Sequence, residues 1–177
     1  MRVMLQPLRK MVHFVAPLVR ENYAEQQFFR PCDLEVAWEE LCKLNEKGFY
    51  HSLFLCTDNQ DTIEVVGYHT FYTMPSLQTC RVVATHDLLF VRKGWRFGRG
   101  ALLLLQAADA LQRKLGVTEV FASHANERQV CSLMERVGYQ VVGLQYYKSL
   151  LPAKDPRVLA GFLTDQEVKG PGSDSGG

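Results

Sequence analysis

A basic, glycine-rich segment has the clearest chemical potential in this chain. Residues 92–101 read RKGWRFGRGA, with three glycines and four cations. The apolar run THDLLFV precedes the segment, and LLLLQAADALQRKL follows it with helical spacing of its apolar residues. A strand that leads through such a turn into a helix leaves backbone N–H groups without partners at the positive end of the helix dipole. The segment therefore predicts a phosphate-binding turn.

Two better-known phosphate motifs do not fit this turn. A P-loop would need a lysine and a hydroxyl residue where Ala101 and Leu102 stand, and a dinucleotide fingerprint would need a third glycine where Leu103 stands. The alternative to a binding turn is an exposed basic loop that only caps a buried helix.

The elements that position this turn begin with a short strand and two helices. Residues 2–5 are predicted to form a strand. A helix is predicted from about Val15 to Phe29, with Pro17 in its first turn, where proline is tolerated. A second helix is expected to begin after an N-cap at Asp33 and to stop at Gly48.

The remaining pattern predicts mainly strands. Residues 50–57 and 62–73 should form a hairpin, and a further strand should run from about residue 79 to Val91. After the central helix ends near Leu115, the chain should form a strand over residues 117–123, a helix that begins at the N-cap Asn126, and a last strand over residues 139–150.

Length and composition favour an ordinary globular protein. The 177 residues carry a net charge of +1, so the chain as a whole has no strong field for nucleic acid or an anionic membrane. The five cysteines show no metal-site spacing and are expected to be reduced and buried. No apolar run has the length of a signal peptide or a membrane span, which favours a cytoplasmic location. We expect one domain over residues 1–150 and an extension over 151–177 that is flexible at least from residue 169.

Two stretches carry a resemblance to a known family. The string VRKGWRFGRGA, residues 91–101, resembles motif A of the GNAT superfamily, the acetyl-CoA-dependent N-acetyltransferases. Its signature is R/Q-x-x-G-x-G/A; Arg96 and Ala101 match the ends, and Arg99 stands at the middle glycine. Residues 125–150 resemble motif B, with an asparagine, a helix and the pair Gly138 and Tyr139. The chain to about residue 150 is most similar to bacteriophage-encoded GNAT proteins, which would place it in the host cytoplasm.

The resemblance implies a fold and a set of contacts with acetyl-CoA. The fold would be α/β, an α+β arrangement in which helices flank a mixed, mostly antiparallel sheet. The pantetheine arm would pair with the strand that ends at Val91, and the pyrophosphate would lie in the turn after it. The implied cofactor-binding residues are Leu89, Phe90, Val91, Arg96, Phe97, Gly98, Arg99, Gly100, Ala101 and Asn126. An N-cap role explains Asn126 without any ligand.

Asp87 is the candidate catalytic residue. It occupies the position where many GNAT enzymes carry the carboxylate that removes the proton of the amine. Burial beside Leu88 and Leu89 would raise the pKa of this carboxyl and make it a better base. His86 is intrinsically closer to neutral pH, but strand alternation turns it to the opposite face and favours a structural role. A structural, hydrogen-bonded Asp87 is the alternative.

One position departs from the family pattern. Met134 stands where many GNAT enzymes have the tyrosine that protonates the departing thiolate, and its helical spacing favours core packing. Water, Tyr146 or Tyr147 would then supply the proton, or the chain would bind acyl-CoA without catalysis. The acceptor would be an amine-bearing small molecule or protein, and a homodimer is left open. Nucleic acid remains the less favoured partner for the basic turn.

Overall fold

The computed structural model describes residues 1–25, 33–59, 62–122 and 128–141. Its centre is a five-stranded sheet in the order β1-β2-β3-β4-β5. The first three pairings are antiparallel and β4–β5 is parallel, so the predicted mixed, mostly antiparallel sheet flanked by helices is confirmed. The elements are β1 (Arg2–Leu5), α1 (Leu8–Glu25), α2 (Trp38–Glu46), β2 (Tyr50–Asn59), β3 (Thr62–Pro75), β4 (Val82–Val91), α3 (Gly100–Lys114), β5 (Val117–Phe121) and α4 (Arg128–Arg136).

The two faces of the sheet pack against different helices. Alternate residues of β2, β3 and β4, including Phe54, Tyr68 and Phe90, form one core cluster with the apolar side of α1 and α2. The other face, which includes Leu55 and Phe71, packs against α3. Each residue of β4 therefore faces either the α1/α2 side or the α3 side.

The prediction for the first helix was wrong about its start. Helix α1 begins at Leu8, not near Val15, and Pro17 lies inside it. Proline in a helix interior removes one hydrogen bond and crowds the preceding turn. Burial of Leu8, Met11 and Leu18 on one side of the helix offsets this cost. The part of the prediction that covers residues 26–29 lies outside the described residues.

The second helix begins later than predicted. Asp33 is not its N-cap, because α2 starts at Trp38 and Ala37 occupies the cap position without a side-chain hydrogen bond. The predicted stop is confirmed: Gly48 has a φ of 77°, the left-handed conformation that glycine adopts at helix ends.

The remaining elements lie close to their predicted positions. The hairpin is confirmed with longer strands, and β4 begins at Val82, three residues later than expected. Residues 139–141 have no regular secondary structure, and the rest of the predicted last strand lies outside the described residues, as does the extension over 151–177. Cys42 and Cys56 are buried, whereas Cys80 is exposed, contrary to expectation.

The start of α3 depends on a glycine because of space. A Cβ atom added to Gly100 would lie 2.7 Å from Leu55 Cδ2, inside the core on the α3 side. Leu55 is fully buried and cannot move away without disturbing its neighbours. Gly94, earlier in the same turn, would place a Cβ with no atom within 4 Å. Gly100 therefore lets the turn and the helix start lie directly on β2 and β4.

We expect Gly100→Ala to lower the free energy of unfolding by about 1–2 kcal/mol, because the added methyl group overpacks the site beside Leu55. Urea denaturation of the purified protein measures the change. Gly94→Ala is the matched control and should unfold at the wild-type urea concentration. Equal stability of the two variants would show that α3 does not lie as close to β2 as described.

Candidate functional site

The fourth and fifth strands separate halfway along the sheet. β4 pairs with β5 only from Val82 to Thr85, whereas it pairs with β3 over its whole length to Val91. Within the described ranges, no strand pairs with the β5-facing edge of β4 beyond Thr85. As far as the described residues extend, the second half of β4 therefore presents an open edge next to the basic turn.

The backbone of this open edge alternates in direction. The Arg92 N–H donates to the Val66 carbonyl of β3 over 2.9 Å, so Arg92 and Phe90 direct their backbone groups toward β3. By the same alternation, the N–H and C=O groups of Leu89 and Val91 point away from β3, into the opening. An amide-containing ligand could add to this edge as an extra strand does.

The turn after β4 presents a row of backbone donors. A short 3₁₀ turn spans Lys93–Trp95, and Arg99 caps α3 without a side-chain hydrogen bond. The first helical bond runs from the Leu103 N–H to the Arg99 carbonyl. Residues 96–99 form a turn, but in the described part of the chain no backbone carbonyl accepts a well-aligned hydrogen bond from the five preceding N–H groups, 98–102. This arrangement suits an anion at the N-terminus of a helix.

Two arginines of the turn are held by carboxylates of α1. Arg92 donates to both Glu21 oxygens at 2.8 and 2.9 Å and to Glu64 Oε1 at 2.7 Å. Hydrogen bonding to Arg92 lowers the pKa of Glu21. Arg96 donates to Glu25 Oε2 at 2.5 Å and to the Val91 carbonyl at 2.6 Å. Its guanidinium also lies 5.3 Å from the centre of the Phe90 ring.

These ion pairs reduce the net positive charge that the turn presents to an anionic ligand. The sequence predicted a patch of four cations, but α1 supplies carboxylates to two of them. A polyanion such as nucleic acid would have to displace both pairs. The arrangement fits a small ligand that needs one arginine and a row of backbone donors.

Asp87 lies at an irregularity in β4. Thr70 pairs with Leu88 and Phe71 pairs with His86, so the strand register skips Asp87, which is the extra residue of a β-bulge. Its Oδ2 accepts hydrogen bonds from the Tyr50 hydroxyl at 3.2 Å and from the Thr70 hydroxyl at 3.3 Å. Asp87 is exposed, so the expected burial beside Leu88 and Leu89 was wrong.

The neighbours of Asp87 stay protonated. Burial, followed by the nearby Asp87 charge, raises the pKa of Tyr50, and the same two causes raise the pKa of Tyr72. Tyr50 therefore remains a hydrogen-bond donor at neutral pH. The result is a carboxylate that is open to solvent on the α1/α2 side and held by two neutral hydroxyl groups.

His86 faces the opposite side of the sheet, as predicted. It is buried, and its Nε2 lies 3.0 Å from Gln112 Nε2 of α3 and 3.2 Å from the Tyr139 hydroxyl. The His69 ring packs edge-on against it, with centroids 4.3 Å apart. These contacts place His86 in a buried polar cluster, away from Asp87, and agree with a structural role.

The other predicted site residues occupy different surroundings. Phe97 is fully exposed, whereas Phe90 and Val91 are buried. Met134 is also buried, in agreement with core packing. Asn126 and the tyrosines at 146 and 147 lie outside the described residues.

Sequence reasoning missed several residues around this site. Tyr50 and Thr70 hold Asp87, and Glu21 and Glu25 hold the arginines. None of these side chains carries a motif, and each reaches its partner only through the folding of distant segments. Tyr139 differs from these residues because it belongs to the Gly138 and Tyr139 pair of the motif. Its contact with His86 was nevertheless not predicted.

The described part of the chain has neither a metal-binding cluster nor a membrane-spanning helix. No group of three or more His, Cys, Asp or Glu side chains there could hold a metal ion. No described helix is both long and apolar enough to cross a bilayer.

Comparison with known proteins shows the fold. No family model and no curated protein matches the chain. Solved structures do match. A protein described as a probable acetyltransferase has a TM-score of 0.65 and 18% identity, with 88% of this chain and 99% of that chain covered. The ribosomal-protein-alanine N-acetyltransferase of Brucella melitensis biovar Abortus 2308 has a TM-score of 0.61 and 18% identity, with 85% and 100% covered.

A third similar structure is an aminoglycoside acetyltransferase from an uncultured soil metagenomic sample, in complex with sisomicin. Its TM-score is 0.63 and its identity 17%, with 84% of this chain and 96% of that chain covered. The chain therefore has the mixed α/β fold of GNAT acetyltransferases. At these identities, the similarity concerns the fold alone.

Proposed function

We propose that this protein is an N-acetyltransferase that moves an acetyl group from acetyl-CoA to an amine by direct transfer. The observation that carries the proposal is the open edge of β4, which has Asp87 near one end and the donor-rich turn at the other. Four residue steps separate Asp87 from Val91, or about 13 Å along a strand. A reacting centre and an anion site are thus joined by backbone groups that can bind an extended arm.

The described residues fit acetyl-CoA with one rearrangement. The amides of residues 98–102 and the side chain of Arg96 would hold the pyrophosphate, and the outward backbone groups of Leu89 and Val91 would pair with the pantetheine amides. Arg96 already uses the Val91 carbonyl and Glu25. Binding therefore requires Arg96 to exchange these acceptors for phosphate oxygens. Asn126 would add a contact to the pantetheine arm.

Asp87 would act on the amine. An alkyl amine is mostly protonated at neutral pH and attacks a thioester only as the neutral species. Asp87 is exposed on the α1/α2 side and can accept the proton through a water molecule. As the amine nitrogen forms its bond to the acetyl carbon, the C–S bond breaks and the thiolate takes up a proton.

The acceptor is an amine on a small molecule or a protein. The similar structures act on acceptors as different as a ribosomal protein and aminoglycosides, so the fold does not select between these classes. The resemblance to bacteriophage-encoded proteins, the cytoplasmic location and a single domain over residues 1–150 remain predictions from the sequence.

A second candidate function is binding of acyl-CoA without catalysis. The observation that favours it is Met134, a buried side chain that cannot donate a proton to a thiolate. This candidate shares the binding site with the first and differs only in turnover.

Acetyl-CoA binding should depend on Arg96. We expect Arg96→Gln to weaken binding at least about tenfold, because a charge-assisted hydrogen bond to phosphate is lost. Glu25→Gln should strengthen binding by about two- to fivefold, because it removes an exposed ion pair that competes for Arg96. Isothermal titration calorimetry measures both changes.

Arg113→Gln is the control for the change in charge, since this residue lies at the other end of α3, and it should bind like wild type. Wild-type protein that fails to bind acetyl-CoA at millimolar concentration would contradict both candidate functions. Equal affinities of wild type and Arg96→Gln would remove Arg96 from the site.

Turnover should depend on Asp87. Asp87→Asn keeps the shape of the side chain and its acceptor oxygen but cannot take up the proton, so kcat should fall by about 10²–10⁴-fold while the Kd for acetyl-CoA stays unchanged. A thiol-release assay with a panel of small and peptide amines measures kcat. Glu40→Gln, which neutralises an exposed carboxylate on α2, should keep wild-type turnover. Tight acetyl-CoA binding with no turnover on any amine would favour the non-catalytic candidate.

A further inference from the structure

The bulge in β4 is held by side chains of the neighbouring strand. At a bulge the extra residue interrupts the regular ladder, so the backbone groups beside it need other partners. Leu88 is the residue that follows Asp87. Its N–H donates to the Thr70 hydroxyl at 3.2 Å, and its carbonyl lies 3.0 Å from His69 Nδ1. Two adjacent β3 side chains, one on each face of the sheet, thus hold both backbone groups of Leu88.

The Thr70 hydroxyl has a second contact. Its oxygen lies 3.3 Å from Asp87 Oδ2. A backbone N–H can only donate, so Thr70 must accept from Leu88 with a lone pair, and its single proton is then available for the carboxylate. Thr70 is buried, which limits competition from water for either bond. One hydroxyl group therefore joins the backbone of the bulge to the carboxylate that the bulge displays.

We propose that Thr70 is a positioning residue for Asp87, whose hydroxyl couples the orientation of the carboxylate to the backbone of the β4 bulge. The catalytic meaning of this inference rests on the proposed function, but the coupling itself does not. Because Leu88 is turned toward β3, the next residue, Leu89, is turned toward the open edge. The hydroxyl group that orients Asp87 thus also binds the backbone whose direction determines which groups face the proposed pantetheine site.

The titratable groups near Asp87 are few in the described part of the chain. Tyr50 on β2 donates to the same oxygen as Thr70, and Tyr72 on β3 packs against Tyr50 with ring centroids 4.7 Å apart. Both tyrosines are neutral at the pH of catalysis because burial raises the pKa of each. A hydrogen bond donated to a carboxylate stabilises its ionised form, so each donor makes proton uptake occur at a lower pH.

The test compares two substitutions at Thr70. Thr70→Val keeps the branched shape but removes the hydroxyl group, whereas Thr70→Ser keeps the hydroxyl group. The first readout is the titration of the Asp87 side-chain carboxyl by ¹³C NMR, which needs neither acetyl-CoA nor an amine. We expect the titration midpoint to lie at higher pH in Thr70→Val than in wild type, and to return to the wild-type position in Thr70→Ser.

The second readout is catalysis with an amine from the thiol-release panel. Thr70→Val should lower kcat at least about tenfold, because a displaced base loses its alignment with the acceptor. The acidic limb of the kcat/KM profile should move to higher pH with the NMR midpoint, and Thr70→Ser should restore both. A loss of packing alone would move neither the titration nor the pH profile.

Thr73→Val is the matched control. Thr73 lies on the same strand and is buried, but its hydroxyl donates to the Gly48 carbonyl at 3.2 Å and does not reach Asp87. It should leave the Asp87 titration and kcat unchanged. An Asp87 titration that is identical in wild type and Thr70→Val would overturn the inference, whether or not the protein is an enzyme. Failure of wild type to bind acetyl-CoA would instead overturn the proposed function, and with it the catalytic role of Thr70.

Discussion

The site depends on the pairing of β4 with two strands of different length. β3 satisfies one edge of β4 to its end, while β5 satisfies the other edge only as far as Thr85. Backbone N–H and C=O groups that lose their ladder partners must find side chains, water or a ligand. The bulge at Asp87 lies just beyond the point where β5 departs. The sheet thus creates, at one location, both an open edge and a displaced carboxylate.

Helix α1 contacts the turn at one end of this site. Its last two turns carry Glu21 and Glu25, which bind the arginines that follow β4. The same helix packs on the face of the sheet where Asp87 is exposed. Arg92 binds two carboxylates, Glu21 and Glu64, whereas Arg96 binds Glu25 and the Val91 carbonyl.

Local patterns in the sequence predicted the features that depend on short-range chemistry. The glycine at position 100 marks the start of α3, and strand alternation correctly separated His86 from Asp87. The predicted start of α1 was wrong because Pro17 was interpreted as a residue of the first turn. The helix begins at Leu8, where its buried apolar stripe begins. Similarly, Asp33 is a good cap in isolation but α2 forms only from Trp38.

The contacts that the sequence did not predict depend on strand register and on contacts between distant segments. Glu25 and Arg96 lie 71 positions apart, so nothing in the local pattern of either predicts their ion pair. Thr70 and Tyr50 reach Asp87 only because the β3–β4 register contains a bulge. One extra residue creates this bulge, and no sequence motif predicts it. The sequence therefore predicts Asp87 and the turn as candidate site residues, but not the residues that contact them in the fold.

Amide hydrogen exchange with and without acetyl-CoA reports directly on the backbone groups of β4 and the turn that are proposed to bind the cofactor. Saturating acetyl-CoA should slow exchange at Leu89 and Val91 and at residues 98–102, and should leave Phe90, which already faces β3, unchanged. Binding that protects neither the open edge nor the turn would overturn the proposed site, since acetyl-CoA would then bind elsewhere on the molecule.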